Sequence, residues 1–349
     1  MAPQVQDPLL SVGSLVLVTA ANGLIASHIV DQLLHYGHAV RGTVRSHSRC
    51  AWMTPLFQQR HPNSHLELVE ISDIGAAGCY DSALKGVSAV IHTAADTSLS
   101  DDPDAISKAV NANLNILKAA KDANSHGEKI KRVVLTSSSW AVFYPQPNVK
   151  KELTHESYDT HAAQDPNTPK EFRGLVSYVA SKTRAEQEGW AWFKENVDCG
   201  FTLNTVNPDT CMGPVLSPKD QAYPSTVGFI RSLYEGKNAE LFDWLEPQWF
   251  VDVRDAARLH VAGAILNGVE GERIFGYAET FTWPGVAKVV EQEMGQKVPI
   301  QLKDKGEDLT TAPAQREKSV QLLNRLGRNG WVPFEESVRA NIRCFYPKA

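Results

Sequence analysis

The sequence predicts an α/β fold: a doubly wound parallel sheet with a smaller cap built from the C-terminal part of the chain. Three observations carry this. Strand and helix signals alternate over roughly the first two hundred residues, as they do where parallel strands are joined by helices. The strand signals are short unbroken apolar runs, the mark of strands buried on both faces. Near residue 208 the pattern changes, with Pro208, Gly213, Pro214, Pro218, Pro224 and Gly228 in close succession.

The elements follow in order. Leu15-Val16-Leu17-Val18 is the first strand. A helix follows from Ser27 to Leu34, with Ile29, Val30, Leu33 and Leu34 at helical spacing. Ala39 to Val44 and Leu66 to Ile71 read as the second and third strands. Ala89 to His92 is the fourth, leading to a long helix through Val110, Leu114, Leu117 and Ala120. Arg132 to Thr136 is the fifth. Tyr178 to Phe193 is helical by pattern, and Phe201 to Val206 is the sixth strand. Residues 1–207 are therefore assigned to the sheet domain and 208–349 mainly to the cap. The boundary is interleaved: Phe250 to Val253, followed by a helix from Asp255 to Leu266, is expected to return to the main sheet.

The chain has 349 residues, 42% hydrophobic and 21% charged, with a net charge of −5. This is an ordinary globular composition, long enough for a large core. The absence of a basic surplus argues against nucleic acid or an anionic membrane as partner. No apolar run approaches the roughly 18–20 residues that cross a bilayer. The first ten residues lack the basic and apolar regions of a secretion signal and read as a flexible lead-in, and the last four match no common address tag. Cys50, Cys79, Cys199, Cys211 and Cys344 are scattered, which suggests free thiols in a reducing, cytoplasmic setting. The histidines form no metal-ligand spacing, so no metal is expected.

The first strand runs into Thr19-Ala20-Ala21-Asn22-Gly23-Leu24-Ile25-Ala26 and then a helix. A strand–turn–helix of small residues brings backbone N–H groups and a helix N-terminus to an anionic pyrophosphate. Gly23 and Ala26 stand where the second and third small residues of a G-x-x-G-x-x-G/A loop belong. The first position is Ala20, not glycine, so weakened but retained dinucleotide binding is expected. NAD selectivity usually rests on an acid at the end of the second strand. Here Val40 to Ser46 has none; Arg45 stands where a 2′-phosphate would lie and Arg49 follows, and guanidinium forks suit phosphate. NADPH/NADP+ is the expected cofactor. Asp73-Ile74 would cradle the adenine, and Thr93-Ala94-Ala95 would line the ribose and diphosphate.

Tyr178-Val179-Ala180-Ser181-Lys182 is the strongest chemical signal. On a helix, residues four apart share a face. A free phenol has a pKa of about 10, and a neighbouring ammonium is expected to pull it down toward the working range of an acid–base catalyst. The same lysine can reach a nicotinamide ribose. The fifth strand ends in Thr136-Ser137-Ser138-Ser139, and strand ends of this kind face the ligand crevice. A hydroxyl there can hold a substrate carbonyl. Asn111, in the helix after the fourth strand, is a candidate proton relay to Lys182.

With these segments in hand, the chain resembles the extended short-chain dehydrogenases/reductases, within them the dihydroflavonol-reductase-like group, and looks closest to fungal and yeast NADPH-dependent carbonyl (aldehyde/ketone) reductases. The resemblance rests on residues 13–19, Ala21-Asn22-Gly23, Val40 to Arg45, Leu135 to Ser138, Tyr178 to Lys182 and Val251 to Ala257. It implies a Rossmann-type sheet, Ser138 as the catalytic serine beside Tyr178 and Lys182, Asn111 as the helix asparagine, and Pro208 near the nicotinamide amide. The activity it implies is hydride transfer to the carbonyl of a small molecule, an aldehyde or ketone, by a monomer or homodimer. Leu99, Trp140, Phe172, Leu175 and Gln248 are substrate-pocket candidates; Trp244 and Trp249 are weighed for the pocket or for packing. Val251 to Arg258 is expected to fix the cap to the sheet. Two other readings stand beside this one: an NAD-dependent nucleotide-sugar epimerase/dehydratase, and a non-catalytic dinucleotide sensor.

Overall fold

The computed structural model describes residues 3–97, 99–160, 170–221 and 225–347, with the side chains of Glu171 and Phe172 outside that description. The first half contains β1 (Leu15–Val18), α1 (Leu24–His35), β2 (Ala39–Val44), α2 (Met53–Arg60), β3 (Leu66–Glu70), β4 (Val87–His92), α3 (Ala105–Ser125), β5 (Arg132–Thr136) and β6 (Lys150–Glu152). Then come α4 (Lys170–Glu195), β7 (Thr202–Pro208), β8 (Thr210–Met212), α5 (Val227–Glu235), α6 (Leu241–Trp244), β9 (Gln248–Asp252) and α7 (Val253–Ile265). The chain closes with β10 (Arg273–Gly276), β11 (Glu279–Phe281), α8 (Trp283–Met294), β12 (Leu309–Thr311), α9 (Pro313–Arg325) and α10 (Phe334–Phe345).

Seven parallel strands form the central sheet in the order β10-β7-β5-β4-β1-β2-β3. Successive strand residues point to opposite faces, and β1 shows it. Val16 and Val18 join one core with Ile29, Leu33 and Leu259, whereas Leu17 joins another with Ile116, Leu117 and Leu203. Each face is thus sealed by helices, α1 and α7 on one side, α3 and α4 on the other. Fully burying one such side chain contributes roughly 1.5–3 kcal/mol.

The strand order reverses between β1 and β4, which places a crevice beyond their C-terminal ends. The cap stands over that crevice. It has its own sheet, β11-β9-β8, and its own core of Ile230, Phe242, Phe250, Trp283 and Val338.

One expectation changes. The strand near 250 does not return to the main sheet: β9 pairs with β8 and β11, and only its helix, α7, packs back. The seventh main strand is β10, paired with β7. Asp252 caps α7 by accepting from the Arg254 amide and also binds the Ser337 hydroxyl of α10, and Asp255 accepts from the Val332 amide. This segment does fasten the cap, as its charges suggested. Among the described residues no helix is long and apolar enough to cross a membrane, and no cluster of potential metal ligands occurs.

Candidate active site

The loop after β1 is shaped by close backbone approach. The Ala21 amide donates to the Thr43 carbonyl at 2.8 Å and the Gly23 amide to the Ala20 carbonyl at 2.9 Å. Gly42 makes room for this, since a Cβ there would sit 2.7 Å from that of Ala21. Ala20 is held at φ +49°, in the left-handed region that disfavours a Cβ. Here lies the physical meaning of the missing first glycine. Gly23 opens α1 without a side-chain cap, so the helix N-terminus presents backbone donors of the kind that bind phosphate. Asn22 is exposed, while Leu24 and Ile25 anchor the helix in the core.

Thr19 belongs to the frame of the crevice. It is fully buried, and its hydroxyl oxygen accepts from the amides of Thr93 (2.9 Å) and Ala94 (3.1 Å) and meets the His92 ring at 3.0 Å. The Thr93 hydroxyl in turn donates to the Thr19 carbonyl. These bonds fasten the end of β1 to the end of β4 and leave the Thr19 side chain no direct ligand role. Arg45 and Arg49 are exposed just past β2. The nearest acid on β3, Glu70, is engaged by the His47 amide at 2.7 Å. Asp73 accepts from the Gly75 amide, and the Ile74 carbonyl accepts from Asn115. An uncapped helix start and two exposed guanidinium groups at this edge fit an anionic dinucleotide carrying an extra phosphate.

A cleft of about 560 Å³ runs from Asp73 and Ile74 past Ala94, Ala95, Leu99 and Asn111 to Tyr178 and Lys182. The phosphate loop, Arg45, Arg49 and Pro208 lie outside its lining. Asn111 is an exposed residue of this cleft rather than a polar group among apolar neighbours, and Asn113 is the one that donates to α4, at Ala185 O. Leu99 adopts φ +54°, and its carbonyl lies against Gly174, where any Cβ would overlap it. Pro208 is buried at the end of β7, paired with Gly276.

The three serines after β5 take three different tasks. The Ser137 hydroxyl donates to Glu186 at 2.5 Å. Ser139 bonds the buried Asp209 carboxyl, which burial pushes up to about 7. Ser138 alone faces Tyr178, with which its hydroxyl forms a hydrogen bond. Its oxygen accepts from the Trp140 amide at 3.2 Å, which frees the hydroxyl proton for an oxygen in the site. The Lys182 ammonium stands 5.8 Å from the centre of the Tyr178 ring.

The titration of this pair corrects the expectation from spacing. Tyr178 is not pulled down: burial pushes its phenol up to about 12, against the pull of the Ser138 hydrogen bond. Burial also pushes Lys182 down to about 8, opposed by the charge of Glu186. Spacing shows which groups share a face; it does not show how much water they have lost, and desolvation sets the sign of both shifts here.

Trp140 stands edge-on to Tyr178, ring centres 5.8 Å apart, and its indole N–H donates to Gln248 at 3.0 Å. These two substrate candidates therefore meet at the tyrosine, and Leu175 is buried a turn before it on α4. Phe172 lies on the same helix with its side chain outside the described residues. Trp249 stacks on Tyr277 and donates to Thr310, and Trp244 packs on the cap core; both are packing residues.

Two residues of the site escaped the sequence reading. Glu186 lines the cleft one helical turn past Lys182, and its spacing was there to be read. Gln221 had no signal. Its buried amide reaches from the cap to the Asn22 carbonyl at 2.8 Å and the Ser27 hydroxyl at 3.2 Å, clasping a loop 199 residues away in sequence.

Residues 16–274 match the family described as the NAD dependent epimerase/dehydratase family. Aldehyde reductase 2 of Sporidiobolus salmonicolor is 36% identical over 347 residues, covering 96% of this chain and 97% of that protein. Ketoreductase adrE of Penicillium rubens is 36% identical over 346 residues, covering 97% and 98%. The crystal structure of the yeast methylglyoxal/isovaleraldehyde reductase Gre2 complexed with NADPH matches with a TM-score of 0.79 at 25% identity, covering 95% of this chain and 97% of that one. The likeness runs through sheet and cap alike, and the chain belongs to the NAD dependent epimerase/dehydratase family.

Proposed function

We propose that this protein is an NADPH-dependent carbonyl reductase that converts an aldehyde or ketone to an alcohol, with Tyr178 as proton donor. The observation that carries the reading is the meeting of Ser138 and Lys182 at Tyr178, beside Trp140 and Gln248. The relatives named aldehyde reductase and ketoreductase, and the NADPH complex of the structural neighbour, support it.

NADPH, when bound, supplies the hydride. Gly23 and the start of α1 hold its pyrophosphate, and Arg45 and Arg49 take the 2′-phosphate. Ser138 donates a hydrogen bond to the substrate oxygen. Tyr178 gives that oxygen its proton as negative charge develops on it. A phenol pushed up to about 12 stays protonated across neutral pH, which suits a donor in the direction of reduction. Lys182 binds the ribose and sets a positive charge near the phenol as it loses its proton. Asn111 stands at the cleft edge as a candidate water-binding relay. The enzyme works as a monomer or homodimer, and its five free cysteines accord with a reducing compartment such as the cytoplasm.

The test is NADPH oxidation against a panel of aldehydes, α- and β-keto esters and aryl ketones, with NADH in parallel. Consumption of NADPH with at least one carbonyl class, and a preference over NADH, is expected. A purified protein that retains tightly bound NAD and oxidises NADPH with none of them would point instead to epimerase-type chemistry.

A further inference from the structure

One face of α4 carries three ionisable residues at successive turns: Tyr178, Lys182 and Glu186. The third has no part in the chemistry proposed above, yet it is the most heavily bonded carboxylate near the site. Glu186 is 1% exposed. One carboxylate oxygen accepts from the Ser137 hydroxyl at 2.5 Å and from Asn207 Nδ2 at 2.8 Å. The other accepts from Thr205 Oγ1 at 3.2 Å and from Arg273 Nε at 2.5 Å. Asn207 Nδ2 also reaches the carbonyl of Ser138, at 3.2 Å. Arg273, brought in from the edge strand β10, donates in turn to the carbonyls of His155 and Ser157 and stacks on Tyr158.

A buried carboxylate is tolerated only when its charge and lone pairs are matched, and this one is matched by the turn that carries Ser138. Ser137 precedes Ser138 in the chain, and Asn207 grips Ser138 by its backbone. The carboxylate therefore joins the strand end bearing the serine to the helix bearing the tyrosine and lysine. It is also the acid beside Lys182.

We infer that Glu186 is a positioning residue of the reaction, which locks the Ser138 turn against the Tyr178–Lys182 helix and serves as the fixed counter-charge of Lys182. The inference rests on the reductase reading. Among the described residues, the other charged groups lining the cleft with Lys182 are Glu186, Asp73, Asp96, Lys118 and the Asp102–Lys108 pair. Tyr178 and Glu186 share its helix. His92 of β4 is held neutral, burial pushing it down to about 3. Asn111 and Asn113 of α3 are uncharged. Arg273 stands behind Glu186, and the Asp102–Lys108 ion pair lies at the cleft rim. Glu186 is thus the acid that favours the charged lysine, whose ammonium burial alone would lower further.

The test is the pH dependence of kcat for the wild type, Glu186→Gln and Glu186→Asp, with NADPH affinity by fluorescence titration and folding by circular dichroism. The wild type is expected to lose activity as pH rises through the Lys182 value near 8. In Glu186→Gln the loss moves to lower pH by about one unit, and kcat falls about tenfold or more while NADPH affinity changes by less than about threefold. Glu186→Asp keeps the charge but not the reach; its alkaline limb stays near that of the wild type while kcat still falls. An unmoved limb in folded Glu186→Gln overturns the counter-charge role, and wild-type kcat in folded Glu186→Asp overturns the lock, whether or not the glutamine variant folds. An inactive wild type would instead sink the reductase reading, so the two failures are distinct.

Discussion

At the scale of single residues, strain and desolvation decide what sequence spacing leaves open. Ala20 holds φ +49° at the first turn of the phosphate loop, a conformation that costs an L-residue roughly 1–2 kcal/mol. Glycine would remove that cost and lose roughly 0.5–1 kcal/mol to its greater freedom in the unfolded chain. Ala20→Gly is therefore expected to leave stability unchanged or raise it by up to about 1.5 kcal/mol, and to tighten NADPH binding by relaxing the loop. Thermal unfolding and fluorescence titration measure both, and a looser NADPH complex would refute the account of this loop. The departure at position 20 was plain in the sequence, but its form, a left-handed alanine rather than a rearranged turn, was not. The Tyr178–Lys182 pair carries the same lesson in its sign. Four-residue spacing on a helix put the two groups together, whereas their opposite shifts follow from burial among elements distant in sequence.

At the scale of elements, the strands buried on both faces were the most legible part of the chain. Ala39–Val44 and Arg132–Thr136 stand with the boundaries their apolar runs gave, because a strand covered by helices has few polar positions to blur its ends. Strand β10 is only four residues long and its partner, β7, is far away in sequence, as is Glu186, which pairs with its buried Arg273 across 87 residues; a short local run shows neither. Strand β9 was recognised but assigned to the wrong sheet, since a local apolar run does not encode its partner strand. Contacts between cap and sheet are hidden for the same reason, and Gln221 is the clearest case. Its amide holds the phosphate loop from above at Asn22 and Ser27. Loss of such a buried bond costs about 1–1.5 kcal/mol, or about tenfold in affinity. Gln221→Ala should therefore weaken NADPH binding about tenfold while kcat at saturating NADPH changes by less than about twofold. An unchanged dissociation constant would show that the cap does not support the loop.

At the scale of the whole molecule, the site exists because topology and packing agree. The strand order reverses between β1 and β4, and Thr19 and Thr93 pin those two ends together. One side of the crevice is a rigid strand end carrying Ser138, the next a long helix carrying Tyr178 and Lys182. The cap adds Gln248, which holds Trp140 edge-on to the tyrosine. On the proposed reading, the proton chemistry sits on the sheet domain and only part of the substrate wall comes from the cap, so one scaffold could keep its chemistry while its pocket varies. This division explains what could be read in the chain. Tyr178, Lys182 and Ser138 follow from local pattern and strand ends, whereas the pocket is a product of segments that meet only after folding. The central claim is that Tyr178 delivers the proton, and substitution by phenylalanine tests it most directly. Tyr178→Phe removes one oxygen from a partly buried ring and leaves the cofactor cradle intact. Carbonyl-dependent NADPH oxidation, followed with NADPH binding on the same preparation, should fall by at least about a thousandfold, with the dissociation constant within about threefold of the wild type. Turnover at the wild-type rate in this variant would contradict the account.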